Sequence, residues 1–365
     1  MIDSHGHPVS EAGGPLDLSS INVQLAESDA ERAGRAVSSP SRLSHELLAV
    51  RLARYLGCEV EEVGEARGQA SSDWPGYVRG LFTDAGIRGV VLDPGWRLGA
   101  TTAQAGLLSE LIGCPVRPIL RLEPIIDRLI EEGADAQDVF FAVQEAVNQA
   151  PAQGYRGFKT IIAYRTGLQV DPDSTLERAQ RSLFETRGLP ARRRGKALRD
   201  LILRAALGWA AELQLPFQIH TGFGDSEIRL SEANPLLLEE LLQTPEGRAA
   251  TLVLIHGSYP WHEELAFLTL AHPNVHAEIS EFNLYTVGTA ADRLERILDF
   301  APTSRVLCGT DGHGHPETYW FGAQVMQEAW ATVRSRWEAR GARRSWLDTV
   351  EADILERNTA RLYRF

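Results

Sequence analysis

The sequence predicts an α/β chain folded as a (β/α)8 TIM barrel, one domain over residues 1–365. Three observations point there. Eight short apolar runs are spread along the 365 residues. Helical patterns separate most of them. The runs are continuous rather than alternating, as in parallel strands covered on both faces. A doubly wound open sheet is the alternative arrangement. No G-x-G-x-x-G follows the first run, which counts against its dinucleotide-binding form.

The first run, Met1–Ser4, leads directly into His5-Gly6-His7-Pro8. The second, Gly89–Leu92 (GVVL), comes only after a long interval. Residues 8–85 therefore read as a helical cap inserted after strand one, with amphipathic helices near Ser44–Tyr55 and Trp74–Phe82. Strand three is Pro115–Arg121 (PVRPILR), followed by a helical pattern over Pro124–Gln149. Strand four is Gly157–Ile162 (GFKTII). After it, residues 166–195 are rich in charge and turn residues and read as a lid loop. Helix Ala197–Leu213 leads to strand five, Pro216–Ile219 (PFQI), and helix Pro235–Gln243 to strand six, Thr251–Ile255 (TLVLI). Helix His262–Ala271 precedes strand seven, Val275–Ile279 (VHAEI), and helix Thr289–Phe300 precedes strand eight, Arg305–Cys308 (RVLC). Both insertions follow C-terminal strand ends, the face on which barrel enzymes carry their sites.

Composition narrows the function classes. A net charge of −12 disfavours nucleic acid or an anionic membrane as the main partner. The one basic cluster, Arg192-Arg193-Arg194-Gly195-Lys196, reads as a solvated loop or helix start. No run approaches the ~20 apolar residues of a membrane span, and no basic segment precedes an apolar one at the N-terminus. The three cysteines, Cys58, Cys114 and Cys308, are widely spaced. Together these suggest reduced thiols and a cytoplasmic location. The expected partner is a small-molecule substrate, with self-association left open. Of 37 basic residues only Lys159 and Lys196 are lysine. A lysine kept inside an apolar strand therefore raises the question of what arginine cannot do there.

In a strand, residues i and i+2 point the same way, so His5 and His7 converge from one strand end. His220 ends strand five (PFQIHTG), His256 ends strand six (TLVLIHG), and Asp311 closes strand eight (RVLCGTDGHGHPE). Each is a metal-ligand type at a C-terminal strand end, and a barrel brings those ends together. Imidazole nitrogen and carboxylate oxygen suit Zn²⁺. One H-x-H is a weak signal; the set of five is strong.

This pattern resembles the amidohydrolase superfamily of metal-dependent barrels. The resemblance runs from the initial HGH to the tail ILERNTARLYRF. It is closest in GFKTIIAYRTGL, IHTGFGDSEIRLSEANP, LIHGSYPWHEELAFLTLAHPNVHAEIS and LCGTDGHGHPETYW, which look like the amidohydrolase-type domain fused to glutamine synthetase in some plant and fungal proteins. The resemblance implies one or two divalent ions, with His5, His7, His220 and Asp311 holding the first. In single-ion members His256 is catalytic. In two-ion members a carbamylated lysine after strand four bridges the ions, and His256 becomes a ligand. Lys159 thus has two readings: that bridge, which a guanidinium cannot form, or a barrel-lining ion pair, for example with Glu123.

The implied chemistry is hydrolysis of an amide C–N bond in a small, amino-acid-derived (γ-glutamyl-type) substrate. A divalent cation makes hydroxide available near neutral pH, and Asp311 takes the proton and passes it to the leaving group. Expected substrate contacts are Arg121, Tyr164, Arg165, Asp225, Tyr259, Trp261 and Glu281, the arginines suiting a carboxylate and the aromatics walling a pocket. For each, a structural ion pair or rim packing is the competing reading. His313 and His315 read as loop residues, and His45, His262, His272 and His276 as structural. The alternative reactions on such a site are single-metal decarboxylation and sugar-acid isomerisation.

Overall fold

A computed structural model of the protein describes residues 1–10, 12–16, 42–95, 102–225, 227–280 and 282–365. Its strands, numbered as barrel staves, are β1 Ile2–Val9, β2 Gly89–Leu92, β3 in two pieces (Val116–Pro118 and Leu120–Arg121), β4 Phe158–Thr160, β5 Phe217–His220, β6 Leu252–Ile255, β7 Val275–Ile279, and β8 in two pieces (Val306–Cys308 and Gly312–Gly314). Every pairing between neighbours is parallel.

The two broken staves close the barrel. The first piece of β3 pairs with β2 (Val90 with Val116) and the second with β4 (Leu120 with Phe158). Between them the Ile119 N–H donates to Leu92 O at 2.9 Å. The first piece of β8 lies beside β7 (Ile279 with Cys308) and the second beside β1 (Gly6 with Gly312). Asp311 sits in that second break, its N–H donating to His5 O at 2.9 Å. Helices pack outside: Leu203, Ala206, Leu207 and Ala210 on one of them are as deeply buried as the strand residues Phe217, Leu252 and Leu254 that share their core. This is the continuous-run pattern of a sheet covered on both faces.

Element boundaries differ from expectation where local chemistry intervenes. β1 runs on to Val9, so His5 and His7 lie within it. β4 stops at Thr160, and Ile162–Tyr164 forms a 3-10 turn. The helical pattern over 124–149 is two helices, Glu123–Glu131 and Ala136–Gln149. Gly133 turns the chain at φ 85, and the Asp135 side chain caps the second helix by accepting from Asp138 N at 2.8 Å. Pro235–Gln243 divides into a 3-10 turn, Pro235–Leu238, and a short helix, Glu239–Gln243.

The insertion after β1 carries helices Leu43–Leu56, Val63–Ala70 and Trp74–Asp84. The middle one (VGEARGQA) was not foreseen, because two glycines and few apolar residues hide its period. A buried carboxylate ties this region down: Glu317 Oε1, on helix Pro316–Ala339, accepts from Arg67 Nε and from the Tyr77 hydroxyl, each at 2.8 Å. The segment 166–195 includes helix Leu176–Glu185, capped by Thr175 and packed against helix Lys196–Glu212.

Candidate metal centre

His5 and His7 project from β1 with ring centroids 5.0 Å apart. Asp311 faces both: its Oδ1 lies 3.4 Å from His5 Nε2 and 3.3 Å from His7 Nε2. These three offer ligand atoms all within 4.8 Å of one another, and no other such group of three occurs among the described residues. His256 follows, its ring 5.3 Å from that of His5 and 4.5 Å from that of His220. Five strand-end residues from β1, β5, β6 and β8 thus form one contiguous cluster.

Hydrogen bonds at the far nitrogens set which atom each imidazole presents. His7 Nδ1 is 3.0 Å from Asp93 O, a carbonyl that can only accept, so Nδ1 bears the proton and Nε2 the lone pair. His220 Nε2 is likewise 3.0 Å from Phe223 O, leaving the lone pair on Nδ1. Burial lowers the His220 pKa to about 3, with Lys159 adding to the effect. Burial also holds His5 and His256 well below the ordinary histidine value. These are neutral imidazoles, as metal ligation requires.

Two observations fit a cation here. Asp311 Oδ1 is buried with no hydrogen-bond partner. A cation between Asp311 Oδ1 and the Nε2 atoms of His5 and His7, 3.4 and 3.3 Å away, would give that oxygen a partner. The backbone is also held in costly conformations at this spot. His256 (φ 69), Ser258 (φ 48) and Asp311 (φ 56) are non-glycine residues in the left-handed region. That region costs roughly 1–2 kcal/mol per residue and concentrates at functional sites.

Lys159 points into the barrel, its Nζ 2.9 Å from His5 Nε2. The anticipated ion pair with Glu123 does not form. Glu123 Oε1 instead accepts from Thr160 Oγ1 at 2.5 Å, because Glu123 meets the opposite face of β4. The carboxylate that Lys159 meets is Asp93, 3.0 Å away at Oδ2. Arg121 Nε donates to the same oxygen at 2.9 Å, Arg121 Nη2 also reaches it, and Gly95 N donates to Oδ1 at 2.9 Å. All three ionisable residues are buried. The sequence reading does not single out Asp93; it directly follows β2 (GVVLD), beside the strand-end position that His220 holds on β5, and that placement is the signal for it.

The remaining expected contacts divide. The Tyr164 ring lies 4.6 Å from that of His220, and its hydroxyl accepts from Asp225 N at 2.9 Å. Tyr259 stacks edge-on with Phe223 under Arg293, on the loop after β6. Trp261 starts the next helix, half-buried. Arg165 is directed elsewhere: its Nε donates to Asp127 Oδ2 at 2.9 Å and its Nη1 lies 3.7 Å from Glu227. Glu281 lies outside the described residues. His313, on β8, is buried with Nδ1 2.5 Å from Asp311 O, and His262 Nδ1 is 2.8 Å from Gly257 O.

Comparison with known proteins agrees with this architecture. Residues 126–365 match the family model described as amidohydrolase. The chain is 35% identical over 226 residues to Protein fluG of Emericella nidulans, a match covering 57% of this chain and 25% of that one. It therefore spans about a quarter of that relative's length. A Lactobacillus casei protein provisionally described as a metal-dependent hydrolase has the same fold, with TM-score 0.87, 23% identity, and coverage of 100% of this chain and 95% of the other. A uronate isomerase of Thermotoga maritima shares it at TM-score 0.68 and 13% identity, over 100% of this chain and 94% of that one. With the family model spanning more than half of its length, the chain belongs to the amidohydrolase family.

Proposed function

We propose that this protein is a cytoplasmic, metal-dependent hydrolase that cleaves an amide C–N bond of a small, amino-acid-derived substrate of γ-glutamyl type. The observation that carries the reading is the unpaired Asp311 Oδ1 set against the imidazoles of His5 and His7. With His220 they would hold Zn²⁺. When bound, such an ion supplies Lewis acidity, acidifying water and polarising a carbonyl. Asp311 is the base: its second oxygen accepts the proton of the attacking water and returns it to the departing nitrogen. Lys159, 2.9 Å from His5 Nε2, and Arg121, both gathered on Asp93, set positive charge beside this centre that would suit an anionic substrate group.

The Asp93 pair bears on the ion count. A carbamate on Lys159 would set negative charge about where the ammonium now meets Asp93 Oδ2 at 3.0 Å, whereas an unmodified ammonium is attracted there. That favours one ion, and with it the second reading: a single-metal isomerase or decarboxylase. Metal analysis of protein purified without chelator tests the centre, with one Zn²⁺ per chain expected. Screening N-acyl and γ-glutamyl amides against uronates and aromatic acids then separates the two reactions. Protein that holds no divalent ion would overturn both.

A further inference from the structure

We infer that Ser280 and Glu278 form a buried relay that fixes the tautomer of His256, with Ser280 as the positioning residue. The inference deepens the metal-centre reading and rests on it for its purpose, though not for its geometry. Glu278 lies on β7 and Ser280 directly follows that strand; both are fully buried. The His256 N–H donates to Glu278 Oε2 at 3.1 Å, and Ser280 Oγ donates to the same oxygen at 2.7 Å. A backbone N–H has no other role than donor, so Oε2 is an acceptor. A proton on this carboxyl would belong on Oε1, which faces the Ser4 hydroxyl at 2.8 Å.

The order of donors then follows. With its proton committed to Oε2, Ser280 Oγ turns a lone pair to His256 Nδ1, 2.9 Å away. Nδ1 must carry the ring proton, and Nε2 the lone pair. The same carboxyl thus ties Ser4, beside His5 on β1, to the end of β6. It also braces a residue in the left-handed region, since His256 has φ 69. The chain makes room for it: a Cβ at position 309, in the break of β8, would stand 2.4 Å from Glu278 Oε1 and 2.9 Å from Ser4 Oγ, so a larger residue there would have to displace these groups. A purely structural role needs these groups satisfied but is indifferent to which His256 nitrogen holds the proton.

The test is ¹⁵N NMR of full-length protein labelled at histidine, the His256 signals assigned by difference with His256→Gln. Wild type should show the Nδ1–H tautomer, and Zn²⁺ added to chelator-treated protein should move the Nε2 resonance. Ser280→Ala should lose the tautomer preference, and Ser280→Thr, which keeps the hydroxyl, should restore it. Glu278→Gln, whose amide both donates and accepts, should also mix the tautomers and serves if Ser280→Ala does not fold. An Nε2–H tautomer in wild type, or an Nδ1–H tautomer retained in Ser280→Ala, would overturn the relay. A correct tautomer whose Nε2 ignores bound Zn²⁺ would overturn its link to the centre. Protein that binds no Zn²⁺ yet switches tautomer in Ser280→Ala would sink the hydrolase reading and support the relay.

Discussion

Replacing Asp93 with Asn keeps the shape of the side chain and removes its charge. Three hydrogen-bond donors converge on Oδ2, two from Arg121 and one from Lys159, all in a buried site. Breaking a buried pair from one side costs about 3–5 kcal/mol, because the partner charge is left uncompensated. Here two cations are stranded. Arg121 cannot shed its proton. Lys159 can, since burial already lowers its pKa, so we expect a loss of about 4 kcal/mol rather than twice that. Lys159→Met alone leaves the Arg121–Asp93 pair and should cost only about 1–2 kcal/mol. In the Asp93→Asn background the same change removes an amine that must lose its proton to stay buried, and should restore part of the stability. The assay is urea denaturation followed by fluorescence of the eight tryptophans, on chelator-treated protein so that ion binding adds nothing. A loss below about 1 kcal/mol, or a double variant less stable than Asp93→Asn, would refute the argument.

Asp311→Asn should abolish tight Zn²⁺ binding and turnover while leaving the circular dichroism spectrum unchanged; metal analysis reads the first. Glu317→Gln should cost about 3 kcal/mol by uncoupling Arg67 and Tyr77, with faster amide exchange appearing in helices 43–84 before the barrel. At Gly224 an added Cβ would stand 1.7 Å from the Tyr164 hydroxyl oxygen, so Gly224→Ala should destabilise by about 1–3 kcal/mol and be partly rescued in a Tyr164→Phe background. Burial lowers the His276 pKa from 6.5 to about 4. The unfolded chain therefore binds the extra proton first, and stability present above pH 6.5 is lost as pH falls toward 4, by about 3 kcal/mol. His276→Gln should remove that part of the slope; parallel pH curves for the two proteins would show the shift does not exist.

Much of the architecture is written locally. Continuous apolar runs separated by helical periods specify parallel staves, and strand parity aims His5 and His7 together, because both depend only on neighbours along the chain. Placing His220, His256 and Asp311 at strand ends needed one further premise, that the barrel closes. Partner choice across strands is a different matter. Lys159 lies much nearer in sequence to Glu123 than to Asp93, yet it meets Asp93, because the stagger of β2, β3 and β4 decides which side chains share a level. The same holds for Glu278 and Ser280, whose donors come from β1 and β6. Strand identity is a property of segments, whereas register between strands arises from closure and packing of the whole ring, and only the tertiary structure decides it.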